Sequence, residues 1–178
     1  MTLDTQKLRP LFAEWARVMQ ENKPMLTELD SVVGDGDLGL TMSDGFAAAN
    51  DVVQHSEERD IGRFFYLAGK AMASAVPSTM GTLMSSGVME GGKGLKGVSE
   101  IGPVELATYL TGFAAGIQKR GKCALGDRTI LDAVDAAAKK AVEAAAAENA
   151  DLNAVIHAAV EGATEGVEAT KNMTPKFG

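Results

Sequence analysis

The sequence predicts an all-α domain whose helices run up and down and are joined by short loops. Apolar residues recur at intervals of three and four in successive segments, and no segment alternates apolar and polar residues over the length of a strand. Residues typical of helix starts and ends separate these segments. Hydrophobic residues make up 46% of the chain but aromatic residues only 5%, so we expect a core of small and aliphatic side chains.

Seven or eight helices follow from this periodicity. In the first, the apolar stripe is Leu8, Leu11, Phe12, Trp15, Val18 and Met19. Pro24 suits the first position of a second helix, whose inward residues would be Met25, Leu26, Leu29, Val32 and Val33. The predicted helices cover residues 5–22, 24–33, 41–55, 61–74, a glycine-rich segment within 75–97, 103–120, 129–148 and 152–170.

Three of these helices have recognisable ends. Pro77 and Ser78 suit the start of the glycine-rich helix, and Gly121 is placed to end the helix that Pro103 opens. The last helix is predicted to carry its apolar face on Val155, Ile156, Ala159, Val160, Ala163 and Val167.

Length and charge limit the classes of function. The 178 residues suit one domain, 1–178. A net charge of −7 and the lack of a Lys/Arg cluster along the sequence argue against nucleic acid as a partner. Cys123 is the single cysteine, no apolar run approaches the ~20 residues of a membrane span, and the N-terminus does not resemble a signal peptide, so we expect a cytoplasmic protein with no membrane partner.

The segment GDGDLG, residues 34–39, is the first candidate site. Asp35 and Asp37, with Asp30 at the end of the preceding helix, offer hard oxygen ligands that suit Mg²⁺ or Ca²⁺. The EF-hand calcium loop fits neither with Asp35 nor with Asp30 as its first position. A helix end followed by a turn would favour the same residue types, so spacing alone leaves both interpretations open.

Phosphate groups could bind beside these carboxylates. Gly39 and Thr41 lead into a helix N-terminus, where backbone N–H groups are free to bind an anion. Ser78 and Thr79, and likewise Asp127 and Thr129, also lie at predicted helix starts, although simple capping would explain each of them. No nucleophile with an adjacent base is evident, and phosphoryl transfer, which depends on positioning and metal ions, needs none.

Two blocks of the sequence resemble one known family. LDSVVGDGDLGLTMSDGF, residues 29–46, is similar to the G-D-G-D-H-G block of the nucleotide-binding L subunit (DhaL-type, DAK2 domain) of dihydroxyacetone (glycerone) kinase. KRGKCALGDRTILDAV, residues 119–134, resembles the second block of that family. The resemblance spans essentially the whole chain. It implies an up-and-down barrel of about eight antiparallel helices, with a final helix outside the 178 residues and the nucleotide at one end.

The resemblance also implies a set of site residues. Asp30, Asp35 and Asp37 match the three aspartates that hold two Mg²⁺ ions against the phosphates of ADP or ATP in that family. The implied nucleotide contacts are Leu38, Gly39, Leu40, Thr41, Ser78, Thr79, Met80, Gly121, Thr129 and Ile130. The match at residues 78–80 can shift by a residue, because AVPSTMGT stands where S-G-P-L-Y-G-T is common, and Leu38 replaces the usual histidine of the first block.

The implied activity is transfer of a phosphoryl group to dihydroxyacetone or a similar small keto-sugar held on a partner K subunit. The phosphoryl donor is either ATP or bound ADP that a phosphohistidine protein of a phosphotransferase system recharges. A homodimer is left open. Three other interpretations are a non-catalytic nucleotide-loaded regulatory module, the nucleotide domain of a fatty-acid kinase, which typically has P-D-G-D-T-G in place of GDGDLG, and a helical domain without a ligand.

Overall fold

A computed structural model describes residues 2–177, and within them the all-α prediction is confirmed. Seven helices follow one another: α1 (Thr5–Asp30), α2 (Leu38–Gln54), α3 (Ile61–Ala75), α4 (Thr79–Lys93), α5 (Pro103–Gly121), α6 (Ile130–Ala145) and α7 (Leu152–Thr170). Outside the helices, a single antiparallel bridge pairs Leu3 with Ile101 in the described residues. None of the described helices combines the length and apolar character that a bilayer crossing requires.

The first two predicted helices are one helix, so the prediction of a break before Pro24 was wrong. α1 continues through Pro24 for 26 residues, although proline cannot donate the backbone bond at that turn. The first turn of α2 packs closely against α1 just there: a Cβ atom on Gly39 would lie 2.2 Å from the Lys23 carbonyl oxygen. α2 thus packs closely on α1 beside the turn where Pro24 removes a backbone hydrogen bond.

The centre of the core is more aromatic than the composition predicts. The ring of Phe12 packs against those of Phe64 and Phe65, with centroids 5.7 and 5.8 Å away, and Phe65 packs against Tyr109 at 4.2 Å. All four phenylalanine and tyrosine side chains lie inside the bundle, between α1, α3 and α5. The few aromatic residues of the chain are thus concentrated where their large area is buried.

Consecutive helices pack on one another, which places α1 and α7 at the two edges of the bundle. The apolar residues predicted to face inward from 25–33 are therefore largely exposed: Leu29 is 60% accessible and Val33 is 96% accessible. The prediction for α7 was also partly wrong. Val155 is buried, but Val160 and Val167 are exposed, because α7 contacts α6 through Gly162 and Gly166 instead.

Because successive helices run in opposite directions, their connections lie alternately at the two ends of the bundle. The connections α1–α2, α3–α4 and α5–α6 lie at one end, where α1, α3 and α5 finish and α2, α4 and α6 begin. The α2–α3, α4–α5 and α6–α7 connections lie at the opposite end. The three segments that carry the predicted site residues therefore share one end of the molecule.

Candidate metal and nucleotide site

Asp30, Asp35 and Asp37 form a cluster that we call the aspartate corner. One carboxylate oxygen from each residue lies within 4.8 Å of the other two. Asp30 is the last residue of α1, Asp35 is exposed in the connection, and Asp37 is the N-cap of α2. The corner therefore joins the end of one helix to the start of the next.

Backbone geometry at two glycines makes this corner possible. Gly36 has a φ of +77°, a left-handed conformation that residues with a Cβ atom adopt at a cost. Gly34 donates its N–H to the Asp30 carbonyl oxygen at 2.6 Å, and a Cβ atom on it would lie 2.3 Å from Asp30 Oδ1. The glycines of the segment thus allow the chain to turn back over Asp30 without displacing its carboxylate.

The carboxylate of Asp37 is not used as a helix cap. Asp4, Asp60 and Asp151 cap α1, α3 and α7 by accepting a backbone N–H bond, whereas Asp37 forms no such side-chain bond. Partial burial raises the pKa of Asp37, and repulsion from Asp35 and Asp30 raises it further, against a lowering by the Thr41 hydroxyl. The Asp37 carboxylate therefore does not cap α2, and it lies in a cluster of like charges that a cation would stabilise.

Four predicted phosphate-binding residues begin α2. Leu38 donates its N–H to Asp30 Oδ2 at 3.3 Å, and Thr41 donates its N–H to the Asp37 carbonyl oxygen at 2.8 Å. Within residues 2–177 the N–H groups of Gly39 and Leu40 have no hydrogen-bond acceptor. They are the unpaired donors of a helix N-terminus, which favours anions through its N–H groups and its dipole.

The α3–α4 connection contacts the first turn of α2. Thr41 Oγ1 donates a hydrogen bond to Ser78 Oγ at 2.9 Å, and Ser78 caps α4 by accepting from the Gly81 N–H at 3.0 Å. The structure therefore joins Ser78 to the first turn of α2, which follows Asp37, while Thr79 is exposed at the start of α4 and the side chain of Met80 packs against the core.

The α5–α6 connection is held by its own hydrogen bonds, apart from the aspartate corner. α5 ends at Gly121, but Lys122 rather than Gly121 adopts the left-handed conformation, with a φ of +51°. Thr129 caps α6 through its own hydroxyl, and the side chain of Ile130 packs into the core. In the described part of the chain, Gly121, Thr129 and Ile130 form no hydrogen bond with the aspartate corner.

Asp132 organises this connection, and the sequence analysis missed it. Its buried carboxylate accepts the Gly126 N–H at 2.6 Å and the Thr129 N–H at 2.8 Å. The pattern T-I-L-D, a helix cap followed three residues later by an acidic residue, would have identified the reciprocal capping arrangement. Asp127 in the same connection binds the Ala124 N–H at 2.7 Å and Lys176 Nζ at 3.0 Å, which lowers the pKa of its carboxyl group.

The fold and the site together define a class: an all-helical domain with a carboxylate cluster beside helix N-termini at one end. The profile of the DAK2 domain matches residues 32–178. The chain therefore belongs to the DAK2 domain family.

Named relatives agree with this assignment. The chain is 30% identical over 135 residues to the ADP-binding subunit DhaL of PEP-dependent dihydroxyacetone kinase 2 of Listeria innocua, which covers 75% of this chain and 62% of that protein. It is 28% identical over 169 residues to D-erythrulose kinase of Mycolicibacterium smegmatis, covering 94% of this chain and 29% of that protein. The chain thus spans less than two thirds of these relatives.

A solved structure shares the fold. The dihydroxyacetone kinase from C. freundii, crystallised with AMP-PNP and Mg²⁺, superposes with a TM-score of 0.73 at 22% identity, covering 94% of this chain and 29% of that one. At this identity the similarity establishes the helical architecture. It confirms the fold expected from the two sequence blocks.

Proposed function

We propose that this chain is the nucleotide-binding part of a phosphotransferase that transfers a phosphoryl group to dihydroxyacetone or a similar small keto-sugar. Asp30, Asp35 and Asp37 would hold two Mg²⁺ ions, and the start of α2 would bind the phosphates of ADP or ATP. The observation that carries the proposal is the cluster of three carboxylate oxygens within 4.8 Å of one another, in which the carboxylate of Asp37 does not cap α2.

The donor set fits Mg²⁺. Carboxylate oxygens are hard ligands, and Mg²⁺ in phosphoryl-transfer sites is bound through a few carboxylates together with substrate phosphates. When bound, the metal neutralises charge on the phosphates. The exposure of Asp35 leaves the cluster open to solvent on the side where a nucleotide would approach.

The residues of the chain would bind and orient the nucleotide. Among the described residues, the N–H groups of Gly39 and Leu40 are unpaired at the α2 N-terminus and would donate to phosphate oxygens. The hydroxyls of Thr41 and Ser78 lie beside them, 2.9 Å apart, and fix the start of α4 against the start of α2. Positioning of this kind, without a nucleophile of the protein, is what phosphoryl transfer requires.

The acceptor sugar and the phosphoryl donor would come from elsewhere. We infer a partner K subunit that carries the keto-sugar. The names of the relatives, with dihydroxyacetone and D-erythrulose as substrates, support a small ketose as the acceptor. The phrase "PEP-dependent" in the Listeria name supports the donor route in which bound ADP is recharged by a phosphohistidine protein, and direct use of ATP is the alternative.

Phosphoryl transfer with purified components tests this proposal. The chain would be mixed with a K subunit, dihydroxyacetone and either ATP or a PEP-fed phosphohistidine protein, and dihydroxyacetone phosphate would be measured. We expect product in one of the two mixtures, and none with Asp35→Ala. The matched control is Asp44→Ala, which removes an exposed carboxylate from α2 outside the corner.

Leu38 favours one second candidate. An apolar side chain occupies the position that is usually histidine in the block G-D-G-D-H-G, and this position begins α2 beside Asp37. A nucleotide-loaded regulatory module without catalysis would tolerate this change. Two results together would favour that module over the phosphotransferase. The chain would bind nucleotide in a Mg²⁺-dependent manner without phosphoryl transfer in either mixture, and Leu38→His would not restore transfer.

A further inference from the structure

We propose a second ligand site, a groove on the outside of α3, α4 and α5 that binds a small organic molecule with phosphate groups at both ends. This basic groove has a volume of about 620 Å³. Six cationic side chains line it: Arg63, Lys93, Lys96, Lys119, Arg120 and Lys122. One end of the basic groove, at Lys119 to Lys122, lies at the same end of the bundle as the aspartate corner and flanks Gly121, but the groove runs along the outside of α4 and the inference does not depend on the proposed function.

The charge of the basic groove is opposite to that of the chain. Six of the 17 Lys and Arg residues line it, against one of the 24 Asp and Glu residues, although the net charge is −7. Three of the cationic residues lie in the run KRGK, residues 119–122, and the other three come from positions 63 to 96, so the sequence alone does not show that all six share one surface. Folding brings them together, and a concave surface of one charge concentrates ions of the other.

Most of these cations lack a carboxylate partner. Lys93 pairs with Glu90 at 2.9 Å, and Arg63 approaches Glu58 at 3.9 Å. Across residues 2–177, the other four cations of the groove form no ion pair: Lys96, Lys119, Arg120 and Lys122. An anion bound in the groove would relieve the repulsion between them.

The floor of the groove is the backbone at several glycines together with the side chains of Ser86, Met89 and Glu90, the last of which pairs with Lys93. A Cβ atom on Gly62 would lie 2.6 Å from the Gly92 carbonyl oxygen, and one on Gly116 would lie 2.6 Å from that of Ser86. These contacts draw α3 and α5 tightly against α4 and leave a channel above it. Tyr66, which is 53% exposed, contributes an aromatic surface to this channel.

The arrangement of the charges indicates the shape of the ligand. Arg63, Lys93 and Lys96 lie where α3 begins and α4 ends, whereas Lys119 and Lys122 lie where α5 ends, at the other end of the bundle. The stretch of α4 from Ser86 to Lys93 between them spans about 10 Å at ~1.5 Å per residue. A molecule with two anionic ends and an apolar middle matches this pattern, and the volume lies in the range of roughly 300–1,000 Å³ typical of small-molecule sites.

Phosphate is the anion that this lining favours. Arginine can bind phosphate oxygens in a bidentate manner, and lysine ammonium groups bind them as point charges. Each end of the basic groove offers both residue types, with Arg63 beside Lys93 and Lys96, and Arg120 beside Lys119 and Lys122. Two phosphate esters would therefore find matched partners at the two ends.

Calorimetric titration with hexane-1,6-diyl bisphosphate, without Mg²⁺, tests this assignment. We expect saturable binding to one site, and binding at least about tenfold weaker for hexyl monophosphate, since it can contact only one cationic end. Lys119→Glu and Lys93→Glu, at opposite ends, should each weaken the bisphosphate by about tenfold or more. Lys171→Glu, on an exposed lysine after α7, should change the affinity less than about twofold.

Several outcomes would overturn the proposal. Equal affinities for the bisphosphate and the monophosphate would mean that the groove attracts anions only through diffuse charge. Equal losses of affinity in Lys171→Glu and Lys119→Glu would mean the same. Saturable binding of decaglutamate with no binding of the bisphosphate would assign it to an acidic protein segment. Circular dichroism checks that each variant is folded, and Lys119→Gln replaces Lys119→Glu if the latter does not fold. Asp35→Ala, which alters the aspartate corner, should bind the bisphosphate as the unmodified protein does.

Discussion

Thr41 Oγ1 donates a hydrogen bond to Ser78 Oγ over 2.9 Å, which joins the first turn of α2 to the N-cap of α4. The two residues are 37 positions apart in the sequence, and Thr41 is buried. Because Asp37 immediately precedes α2, this bond also sets the place of the α3–α4 connection relative to the aspartate corner. It is the direct link between two of the three segments that sequence analysis assigned to nucleotide binding.

Replacement of Ser78 tests the strength of this link. Ser78→Ala removes the cap of α4 and the acceptor of the buried Thr41 hydroxyl, so we expect unfolding free energy to fall by about 1–2 kcal/mol. Urea denaturation measures the change. Ser74→Ala is the control, because Ser74 is an exposed serine that bonds only within α3, and its effect should stay within about 0.5 kcal/mol. Equal effects of the two substitutions would contradict the link.

The conformation of Gly36 should matter for binding as well as for stability. Gly36 and Gly97 have φ angles of +77° and +86°, and they lie at opposite ends of the bundle. Alanine at either position should cost about 1–2 kcal/mol because it forces a left-handed residue with a Cβ atom. Only Gly36→Ala should also weaken binding of Mg²⁺ and ADP in calorimetry. A similar loss of binding in Gly97→Ala would mean that general destabilisation, and not the aspartate corner, explains the result.

The lowered pKa of Asp60 predicts that the stability of the fold depends on pH. Burial raises its pKa, but the N–H groups of Arg63, Gly97 and Gly62 and the charge of Arg63 lower it by more, so the net shift is downward. The charged form therefore stabilises the fold above the ordinary pKa of aspartate, and this contribution is lost as pH falls through the lowered pKa. Asp60→Asn keeps a cap but loses the charge, and should cost about 0.5–1 kcal/mol at neutral pH.

Denaturation of the unmodified protein and Asp60→Asn across acidic pH measures this contribution. The difference in unfolding free energy should shrink as the pH decreases below the ordinary carboxyl range. A difference that stays constant or widens on acidification would show that the charge of Asp60 does not stabilise the start of α3.

Asp132 should hold the α5–α6 connection. Asp132→Ala removes a buried carboxylate that accepts two backbone N–H groups, so we expect a loss of about 2–3 kcal/mol and faster amide exchange at residues 124–129. The control is Asp135→Ala on the same helix, where the carboxylate pairs with Lys139 one turn away and should contribute about 0.3–0.5 kcal/mol. Unchanged exchange at 124–129 in Asp132→Ala would contradict this role.

The sequence predicted the helices well where local signals and packing agree. Ser78 and Thr129 cap α4 and α6 as their residue types suggest, and Pro103 begins α5. Pro24 misled the prediction because its residue type favours a helix start, whereas α1 continues through it and packs there against Gly39 of α2. Local propensity cannot reveal such a tertiary contact.

The candidate site could be predicted only in part. Asp30, Asp35 and Asp37 are close in sequence, so their convergence follows from a turn, and the structure places them together. The Thr41–Ser78 bond and the basic groove depend on which helices are neighbours, which no local pattern contains. The inward face of α7 was missed for a related reason: Gly162 and Gly166 pack against α6 through backbone contact, whereas periodicity analysis counts large apolar side chains.

Calorimetric titration of ADP with and without Mg²⁺ tests the central claim most directly, after any ADP that copurifies has been removed. We predict Mg²⁺-dependent binding by the unmodified protein and by Asp44→Asn, and a loss of about tenfold or more in affinity for Asp35→Asn, which removes the charge of one proposed metal ligand without changing side-chain size. Absence of ADP binding by the unmodified protein, or equal affinity in Asp35→Asn and Asp44→Asn, would contradict the assignment of the aspartate corner.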